Sequence, residues 1–264
     1  MPDPALEAHS VGMVFNAGTA KAVPAFEDIS FTLAPGETLA IVGPSGCGKT
    51  TLFNVIAGLL RPSTGSVSVA GQRVDRAGGH VGYMLQRDLL LPWRSVLDNV
   101  TLGLEVRNTP RREAKDKGRA LIAAYGLAGF EDARPRSLSG GMRQRVAFMR
   151  TLALDPTVIL LDEPFSALDF QTRLLLQNET MAAIRERHKS AILVTHDIGE
   201  AITMADRIIV MTHRPARIRA IPARIRAIYP VGAAARDPVT MRETPEFQHL
   251  FQTIWGELQA KVAA

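Results

Sequence analysis

The sequence predicts an α/β fold built on a parallel sheet, from two observations. Short continuous apolar runs, typical of strands buried on both faces, occur at Thr38–Val42, Thr157–Leu161 and Ala191–Thr195. Segments with helical apolar spacing follow them, at Thr51–Leu60, Leu168–Arg187 and Gly199–Ala205. Because strands that alternate with helices form parallel sheets covered by those helices, we expect an α/β core.

Two additions to this core are expected. Short strands around turns predict an N-terminal antiparallel β subdomain, at His9–Phe15, Phe26–Leu33 and Ser66–Val69. After a further strand at Val81–Leu85 the pattern becomes helical, with breaks at Pro110 and Gly126. We therefore expect an inserted helical subdomain at about residues 89–154.

The main domain is expected to cover residues 1–232, and a tail with its own amphipathic helix to cover residues 233–264. Thr244 can cap a helix at 245–262, and Pro245 suits its first turn. The helix carries one apolar stripe, made of Phe247, Leu250, Phe251, Ile254, Trp255 and Leu258. Such a stripe favours docking on the chain's own domain over binding a partner.

Composition is that of a globular protein, with 46% hydrophobic and 22% charged residues in a chain of 264. The single cysteine, Cys47, excludes a disulfide within the chain and suits a reducing cytosol. The first residues lack the apolar segment of a signal peptide, and no apolar run reaches bilayer length. We therefore expect a soluble chain.

A net charge of +5 raises the question of an anionic partner. Many of the cations crowd one late segment: Arg207, Arg214, Arg217, Arg219, Arg224, Arg226 and Arg236. Apart from Tyr229, no aromatic residues interleave with them to stack on bases. A solvated basic face is favoured first, contact with a protein or lipid partner second, and nucleic acid last.

A tandem repeat lies in the same segment, because Pro215–Ile221 and Pro222–Ile228 both read PARIRAI. Seven is an odd number, so Ile218 and Ile225 would face opposite sides of one continuous strand. Pro222 also lacks a backbone donor for a sheet. We predict that one copy is looped out and dispensable.

The stretch Leu39–Thr51, LAIVGPSGCGKTT, fits the phosphate-binding pattern G-x-x-x-x-G-K-[ST]. A strand is predicted before it and a helix after it, so unpaired N–H groups and the positive helix end would face phosphates. Lys49 is expected to reach the β- and γ-phosphates, and the Thr50 hydroxyl to ligate Mg²⁺. The nucleotide-binding residues expected here are Gly43, Pro44, Ser45, Gly46, Cys47, Gly48, Lys49, Thr50 and Thr51.

A second acidic site is expected where the run Val158–Leu161 ends in Asp162 and Glu163. Ligands of α/β folds bind at the carboxyl ends of strands, which is where this pair falls. Asp162 would hold Mg²⁺ through its water shell. Glu163 could accept a proton from an attacking water molecule.

Several motifs give the chain a specific resemblance. Leu138–Arg145, LSGGMRQR, looks like the signature sequence of the ABC-transporter ATPases, although Met142 stands where glutamine is usual. Gln86 resembles their Q-loop glutamine, Ser166–Asp169 their D-loop and His196 their switch histidine. All come in the family's order within about residues 9–213. The resemblance implies a RecA-like P-loop NTPase core that uses ATP and Mg²⁺.

The same resemblance implies roles for individual residues. His196 would contact the γ-phosphate and position water. Gln86 would contact Mg²⁺ and would link the site to a membrane partner. Ser139, Gly140 and Gly141 would serve the nucleotide of the opposite subunit in an ATP-bound homodimer. Phe15 is the candidate for stacking on adenine, where the family usually has tyrosine.

Within the family, the chain is similar to the importer ATPases of the nitrate, sulfonate and taurine group. The supporting stretches are Leu85–Trp93, Leu97–Val100 and Thr195–Asp197, with Glu200 and Ala201. This implies a peripheral subunit on the cytoplasmic face of a bacterial inner membrane. It would power uptake of a small anionic solute through a separate permease, with a solute-binding protein. A thiamine-precursor importer of the same group is an alternative.

Two further classes are weighed against this interpretation. A nucleic-acid-associated ABC ATPase would usually carry two nucleotide domains, a long coiled coil or a zinc insertion, and none is visible in the sequence. We expect no nucleic-acid partner. A regulatory module that binds ATP without turnover is disfavoured by the presence of Lys49, Asp162, Glu163 and His196.

Overall fold

The computed structural model describes residues 3–78, 80–211, 224–232 and 238–259. Within these ranges the strands are β1 (Leu6–Phe15), β2 (Val23–Leu33), β3 (Thr38–Val42), β4 (Thr64–Val69), β5 (Gln72–Arg73), β6 (Val81–Met84), β7 (Val158–Asp162), β8 (Ser190–Thr195), β9 (Arg207–Met211) and β10 (Ile225–Pro230). The α-helices are α1 (Lys49–Ile56), α2 (Val96–Val100), α3 (Leu102–Val106), α4 (Arg111–Ala124), α5 (Gly140–Ala153), α6 (Phe170–Glu186), α7 (Ile198–Met204), α8 (Pro238–Arg242) and α9 (Pro245–Gln259). None of these helices is long and apolar enough to cross a membrane.

Two sheets organise the fold. The larger has the order β10-β9-β3-β8-β7-β6, in which β10 is antiparallel at the edge and all other pairs are parallel. The smaller, with the order β2-β1-β4-β5, is antiparallel. The predicted α/β core with an N-terminal antiparallel β subdomain is confirmed.

Side-chain alternation along the central strands separates two hydrophobic cores. In β3, Ala40 and Val42 face the core that contains the helices α5, α6 and α7. Leu39 and Ile41 face the other core, formed with β1, β2 and α1. Since β3 is buried on both faces, its sequence has no polar face, as expected of a central parallel strand.

Strand register places the carboxyl-terminal ends of β3, β8 and β7 side by side. Val42 of β3 pairs with Thr195 of β8, and Val194 of β8 pairs with Asp162 of β7. The residues that follow these ends therefore lie side by side. This edge of the sheet carries the phosphate-binding loop, the acidic pair and the switch histidine.

The helices α2 to α5 occupy the segment where an insertion is expected. A capping box opens α2, because the Asp98 N–H donates to Ser95 Oγ at 3.1 Å and Ser95 N–H donates to Asp98 Oδ2. Asn99 is buried and fixes the preceding loop by accepting from Leu91 N–H at 2.8 Å. The breaks predicted at Pro110 and Gly126 fall at the two ends of α4.

Some element boundaries differ from the prediction. Helix α1 ends at Ile56, four residues before the predicted Leu60. Gly58 explains this end, since its φ is +72° and a Cβ there would lie 2.4 Å from the carbonyl carbon of Arg76. Strand β9, which pairs with β3 and β10, was not expected from the sequence.

The C-terminal helix packs on its own chain, against α7 and β9. Thr244 caps it as predicted, with Phe247 N–H donating to Thr244 Oγ1 at 3.1 Å. The predicted stripe divides in two, because Leu250 and Ile254 are buried whereas Phe251 and Trp255 remain on the exposed side. Residues 260–262 of the predicted helix lie outside the described residues.

The repeat is only partly within the described residues. Its first copy, and Pro222 and Ala223 of the second copy, lie outside them. The remainder of the second copy enters β10, where Ile225 pairs with Met211 and Ile228 pairs with Ile209. This copy therefore supplies the edge strand of the larger sheet.

Candidate active site

The phosphate-binding loop joins the end of β3 to the start of α1, as its sequence predicts. Gly48 precedes Lys49, the first residue of the helix, and its φ of +99° lies in the left-handed region. A Cβ at Gly48 would lie 3.3 Å from the carbonyl oxygen of Ala25. Both constraints favour glycine, and the turn directs the first N–H groups of α1 outward.

The ammonium of Lys49 lies within the loop. Its Nζ donates to the carbonyl oxygens of Gly43, at 2.6 Å, and Pro44, at 3.1 Å. The residue is only 6% exposed, and no carboxylate lies within ion-pair distance among the described residues. A buried cation whose described partners are the neutral carbonyl groups and the Cys47 thiol is suited to an anionic ligand.

Cys47 lies beneath the loop and not in its cleft. Burial raises the pKa of its thiol, although nearby Lys49 opposes that rise. Its Sγ would lie only 2.8 Å from a Cβ at Gly43. Gly43, Pro44 and Cys47 thus form the base of the loop and do not line the open space above it.

The buried carboxylate of Asp162 ends β7 close to Thr50. Tyr83 Oη donates to Asp162 Oδ2 at 3.2 Å. Burial raises the pKa of Asp162, whereas hydrogen bonds with Thr50 and Tyr83 oppose the rise. Tyr83, a neighbour that the sequence analysis placed only in a strand, therefore helps to hold this carboxylate.

A hydroxyl and a carboxylate in contact form an oxygen donor set that fits Mg²⁺, which is usually bound by one or two protein oxygens together with phosphate oxygens. Thr50 and Asp162 supply that pair here. The described residues contain no cluster of three or more His, Cys, Asp or Glu side chains suited to a metal ion. A Mg²⁺ ion at this place would thus depend on ligand oxygens as well.

Two of the predicted catalytic side chains, Gln86 and His196, converge on one oxygen of the third, Glu163. Gln86 Nε2 donates to Glu163 Oε2 at 3.0 Å, and His196 Nδ1 lies 3.2 Å from the same atom. Glu163 has φ +45°, and its N–H donates to Val194 O at 2.8 Å, so the chain turns sharply beyond β7. A left-handed non-glycine residue at a strand end is a strained conformation of the kind found at functional sites.

These groups share one cleft of about 480 Å³. Its lining comprises Phe15, Ser45, Gly46, Gly48, Lys49, Thr50, Thr51, Gln86, Glu163 and His196. Phe15 is 38% exposed and ends β1 at the rim. A cleft lined by an apolar ring and by a cation with backbone N–H groups matches a ligand that joins a base to phosphates.

The signature residues lie elsewhere. Ser139 caps α5, where its Oγ accepts from Met142 N–H at 3.3 Å, and Gly140 and Gly141 form the first turn. A Cβ at Gly141 would lie 2.8 Å from Thr172 Cγ2 of α6, which explains a glycine there. None of the three lines the cleft of its own chain.

Two arginines connect α5 to the segment after Gln86, and sequence reasoning did not identify these contacts. Arg143 Nε pairs with Asp88 Oδ2 at 3.0 Å. Arg150 donates to the carbonyl oxygens of Asp88, at 2.6 Å, and Leu89, at 2.9 Å. The Q-loop segment and the signature helix are therefore joined directly.

Comparisons with known proteins agree with this geometry. The ABC transporter family matches residues 26–166. The uncharacterised ABC transporter ATP-binding protein YtlC of Bacillus subtilis is 48% identical over 236 residues, 89% of each chain. The taurine import ATP-binding protein TauB of Pseudomonas aeruginosa is 37% identical over 254 residues, 96% of this chain and 95% of that one.

A solved structure also matches. It is a dimeric, post-hydrolysis state of the ATP-binding cassette MJ0796 with ADP and Pi, with TM-score 0.72 and 26% identity over 86% of this chain and 99% of that one. The chain belongs to the ABC transporter family, as an ATP-binding subunit of the ATPase class. Its resemblance to the nitrate, sulfonate and taurine importer group is confirmed.

Proposed function

We propose that this chain hydrolyses ATP to drive uptake of a small solute of the nitrate, sulfonate or taurine type through a separate membrane subunit. The observation that carries the catalytic part is the convergence of Gln86 and His196 on Glu163 beside the phosphate-binding loop. The solute class is supported by the TauB relatives, 37–40% identical to this chain.

ATP binding follows from the cleft. Backbone N–H groups of the loop and the ammonium of Lys49 would hold the β- and γ-phosphates. Thr50, Asp162 and Gln86 would hold Mg²⁺, and the ion would neutralise charge on the phosphates. Phe15 would stack on the adenine.

Glu163 and His196 would carry out the hydrolysis step. Glu163 would accept a proton from the attacking water molecule as that water's oxygen bonds to the γ-phosphorus and the bond from that phosphorus to the β,γ-bridging oxygen breaks, so that ADP leaves and phosphate is formed. His196 would contact the γ-phosphate and position the water. The two side chains already lie 3.2 Å apart, and the hydrogen bond from Gln86 orients the carboxylate within the cleft.

Pairing of two copies is part of the proposal. Because Ser139, Gly140 and Gly141 lie outside their own cleft, they would act on ATP held by a second copy. Their N–H groups at the start of α5 form an anion site of the same physical kind as the loop. The matching cassette structure is described as dimeric, which supports this arrangement.

The assembly would include permease subunits and a solute-binding protein, with this chain on the cytoplasmic face of the inner membrane. The TauB names support an import complex. We further propose residues 1–232 as the ABC ATPase domain, with the helical subdomain at about 89–154 and the tail at 233–264. Contacts of α9 with α7 indicate that the tail belongs to the same folded unit.

Nucleic acid remains the disfavoured alternative. Several of the late arginines are already paired with carboxylates: Arg207 with Glu37 at 2.7 Å, and two others with Glu27 and Glu257. Such pairing leaves less free charge for phosphate contacts. Salt-dependent binding of duplex DNA or RNA by the purified chain would revive this alternative.

The test is reconstitution. The tagged chain would be purified from its native membranes with the subunits that accompany it and placed in proteoliposomes with ATP. Taurine, an alkanesulfonate, nitrate and a thiamine precursor would be compared as solutes. We expect ATP-dependent uptake of taurine or a related anion. Uptake of the thiamine precursor alone would overturn the solute class, and uptake without ATP would overturn the function.

A further inference from the structure

His196 lies between two residues that are both bonded to Glu200. The hydroxyl of Thr195 donates to Glu200 Oε2 and accepts from Asp197 N–H at 3.0 Å. Asp197 Oδ1 in turn accepts from the backbone N–H of Glu200 at 3.1 Å. The peptide on each side of His196 is thus fixed by one closed network at the end of β8.

We propose that Glu200 is the positioning residue that holds His196 against Glu163. The inference rests on the proposed function, because it requires His196 to act in ATP hydrolysis. Glu200 itself does not line the cleft. It acts through Thr195, whose hydroxyl orientation sets the backbone turn from which the imidazole projects.

The side chain of Glu200 is buried, which is unusual for a carboxyl group and calls for a specific reason. Glu200 is 4% exposed, and burying an acid without need costs free energy that an apolar side chain would avoid. The groups that face it are Asp197 on its own turn and Arg173 and Gln177 from α6. An acid retained among them indicates a use for its oxygen as an acceptor.

The same network reaches the D-loop. Arg173 Nη1 lies 3.5 Å from Asp197 Oδ2, and Arg173 Nη2 donates to Leu168 O at 3.0 Å. From the other side, the guanidinium of Arg242 in α8 lies beside Gly199, where a Cβ would be 2.9 Å from its Nη1. The loop at residues 195–197 is therefore bonded to α6 and α7, and α8 lies against α7.

Because only an acceptor oxygen is needed at this position, Glu200→Gln should keep the kcat of wild type, whereas Glu200→Ala should lower it. Losing one orienting hydrogen bond should lower kcat about tenfold and leave the KM for ATP within about twofold. Thr195→Val keeps the side-chain shape but removes this bond and also the one from Asp197 N–H, and should lower kcat at least as much. If Glu200→Ala folds poorly, Thr195→Val can test the positioning role in its place.

A double-mutant cycle separates positioning from general damage. His196→Ala should lower kcat strongly, and adding Glu200→Ala to it should cause no further loss, since no imidazole is left to orient. Val67→Ala is the control for general damage, because it removes a buried side chain from β4 of the smaller sheet, a strand that supplies no residue of the cleft or of the loop around His196. Below its melting temperature it should keep normal kcat.

The outcomes distinguish the two levels of the proposal. If His196→Ala hydrolyses ATP normally, the proposed role of His196 fails, and the role of Glu200 fails with it. If His196→Ala is impaired but Glu200→Ala and Thr195→Val are as active as wild type, only the positioning role is overturned. Additive losses in the double variant, or no rescue by Glu200→Gln, would also overturn it.

Discussion

His196 Nδ1 lies 3.2 Å from Glu163 Oε2. The two residues follow neighbouring parallel strands, β8 and β7, so their meeting is a consequence of sheet register. Gln86, which follows β6, donates to the same oxygen at 3.0 Å. The side chains on which the proposed hydrolysis depends therefore follow the carboxyl-terminal ends of three adjacent strands, β8, β7 and β6.

Replacing Lys49 by alanine should weaken ATP binding and abolish turnover. The change removes the buried ammonium that the carbonyl groups of Gly43 and Pro44 hold in the loop. Loss of a charge-assisted contact to phosphate should lower affinity about 10- to 100-fold. A fluorescent ATP analogue measures binding, with exposed Lys117→Ala as control. Normal hydrolysis by Lys49→Ala would refute the phosphate-loop assignment.

Replacing Ile254 by alanine should destabilise the whole chain. Ile254 is 0% exposed in α9 and belongs to the core shared with the parallel sheet. Truncation of such a side chain should lower the free energy of unfolding by about 2–5 kcal/mol. Exposed Gln252→Ala in the same helix should change it by about 0.5 kcal/mol or less. Equal effects in denaturant melts would show that the tail is not docked.

Much of the fold could be predicted because its signals are local. The continuous apolar runs of β3, β7 and β8 indicate central parallel strands, and the glycine and lysine pattern at residues 43–50 specifies its own loop. Thr244 likewise identifies the start of α9. These features need no knowledge of distant residues.

Other features depend on contacts between distant parts of the chain. The end of α1 is fixed by the approach of Arg76 to Gly58, and β9 forms an antiparallel pair with residues more than a dozen positions away. The bonds of Arg143 and Arg150 to the Asp88 segment follow from the packing of α5 beside that segment. No spacing in the sequence encodes such partners.

Deleting one PARIRAI copy should leave folding and ATP hydrolysis nearly intact. Removing 215–221 or 222–228 yields the same sequence, and that product keeps the IRAIYP segment that forms β10. The connection from β9 is then shorter by seven residues, at small cost in loop entropy. Melting temperature and kcat should stay near wild type, and a large fall in either would show that both copies are structural.

Glu200 should make stability depend on pH. Burial raises the pKa of its carboxyl to about 7, although the hydrogen bond from Thr195 opposes the rise. The folded state therefore binds this proton more tightly than the unfolded state, whose glutamate has a pKa of about 4.3. The resulting stabilisation is complete below about pH 4 and is lost as pH rises through 7.

Comparison with Glu200→Gln isolates this contribution, because other titrating groups cancel between the two proteins. The free energy of unfolding of wild type relative to Glu200→Gln should fall by about 3 kcal/mol from pH 4.5 to pH 8. Urea titrations across that range measure it. A difference that does not change with pH would mean that Glu200 titrates normally in the folded chain.

The most direct test of the account is single-turnover and steady-state hydrolysis by Glu163→Gln. Gln86 and His196 both meet the Glu163 carboxylate, and the amide keeps its size and one acceptor oxygen but loses its basicity. The variant should bind Mg-ATP as wild type does and hydrolyse it about 10²–10⁴-fold more slowly. It should also form an ATP-dependent dimer that Ser139→Arg prevents. Hydrolysis at the wild-type rate would contradict the assignment of Glu163 as the general base.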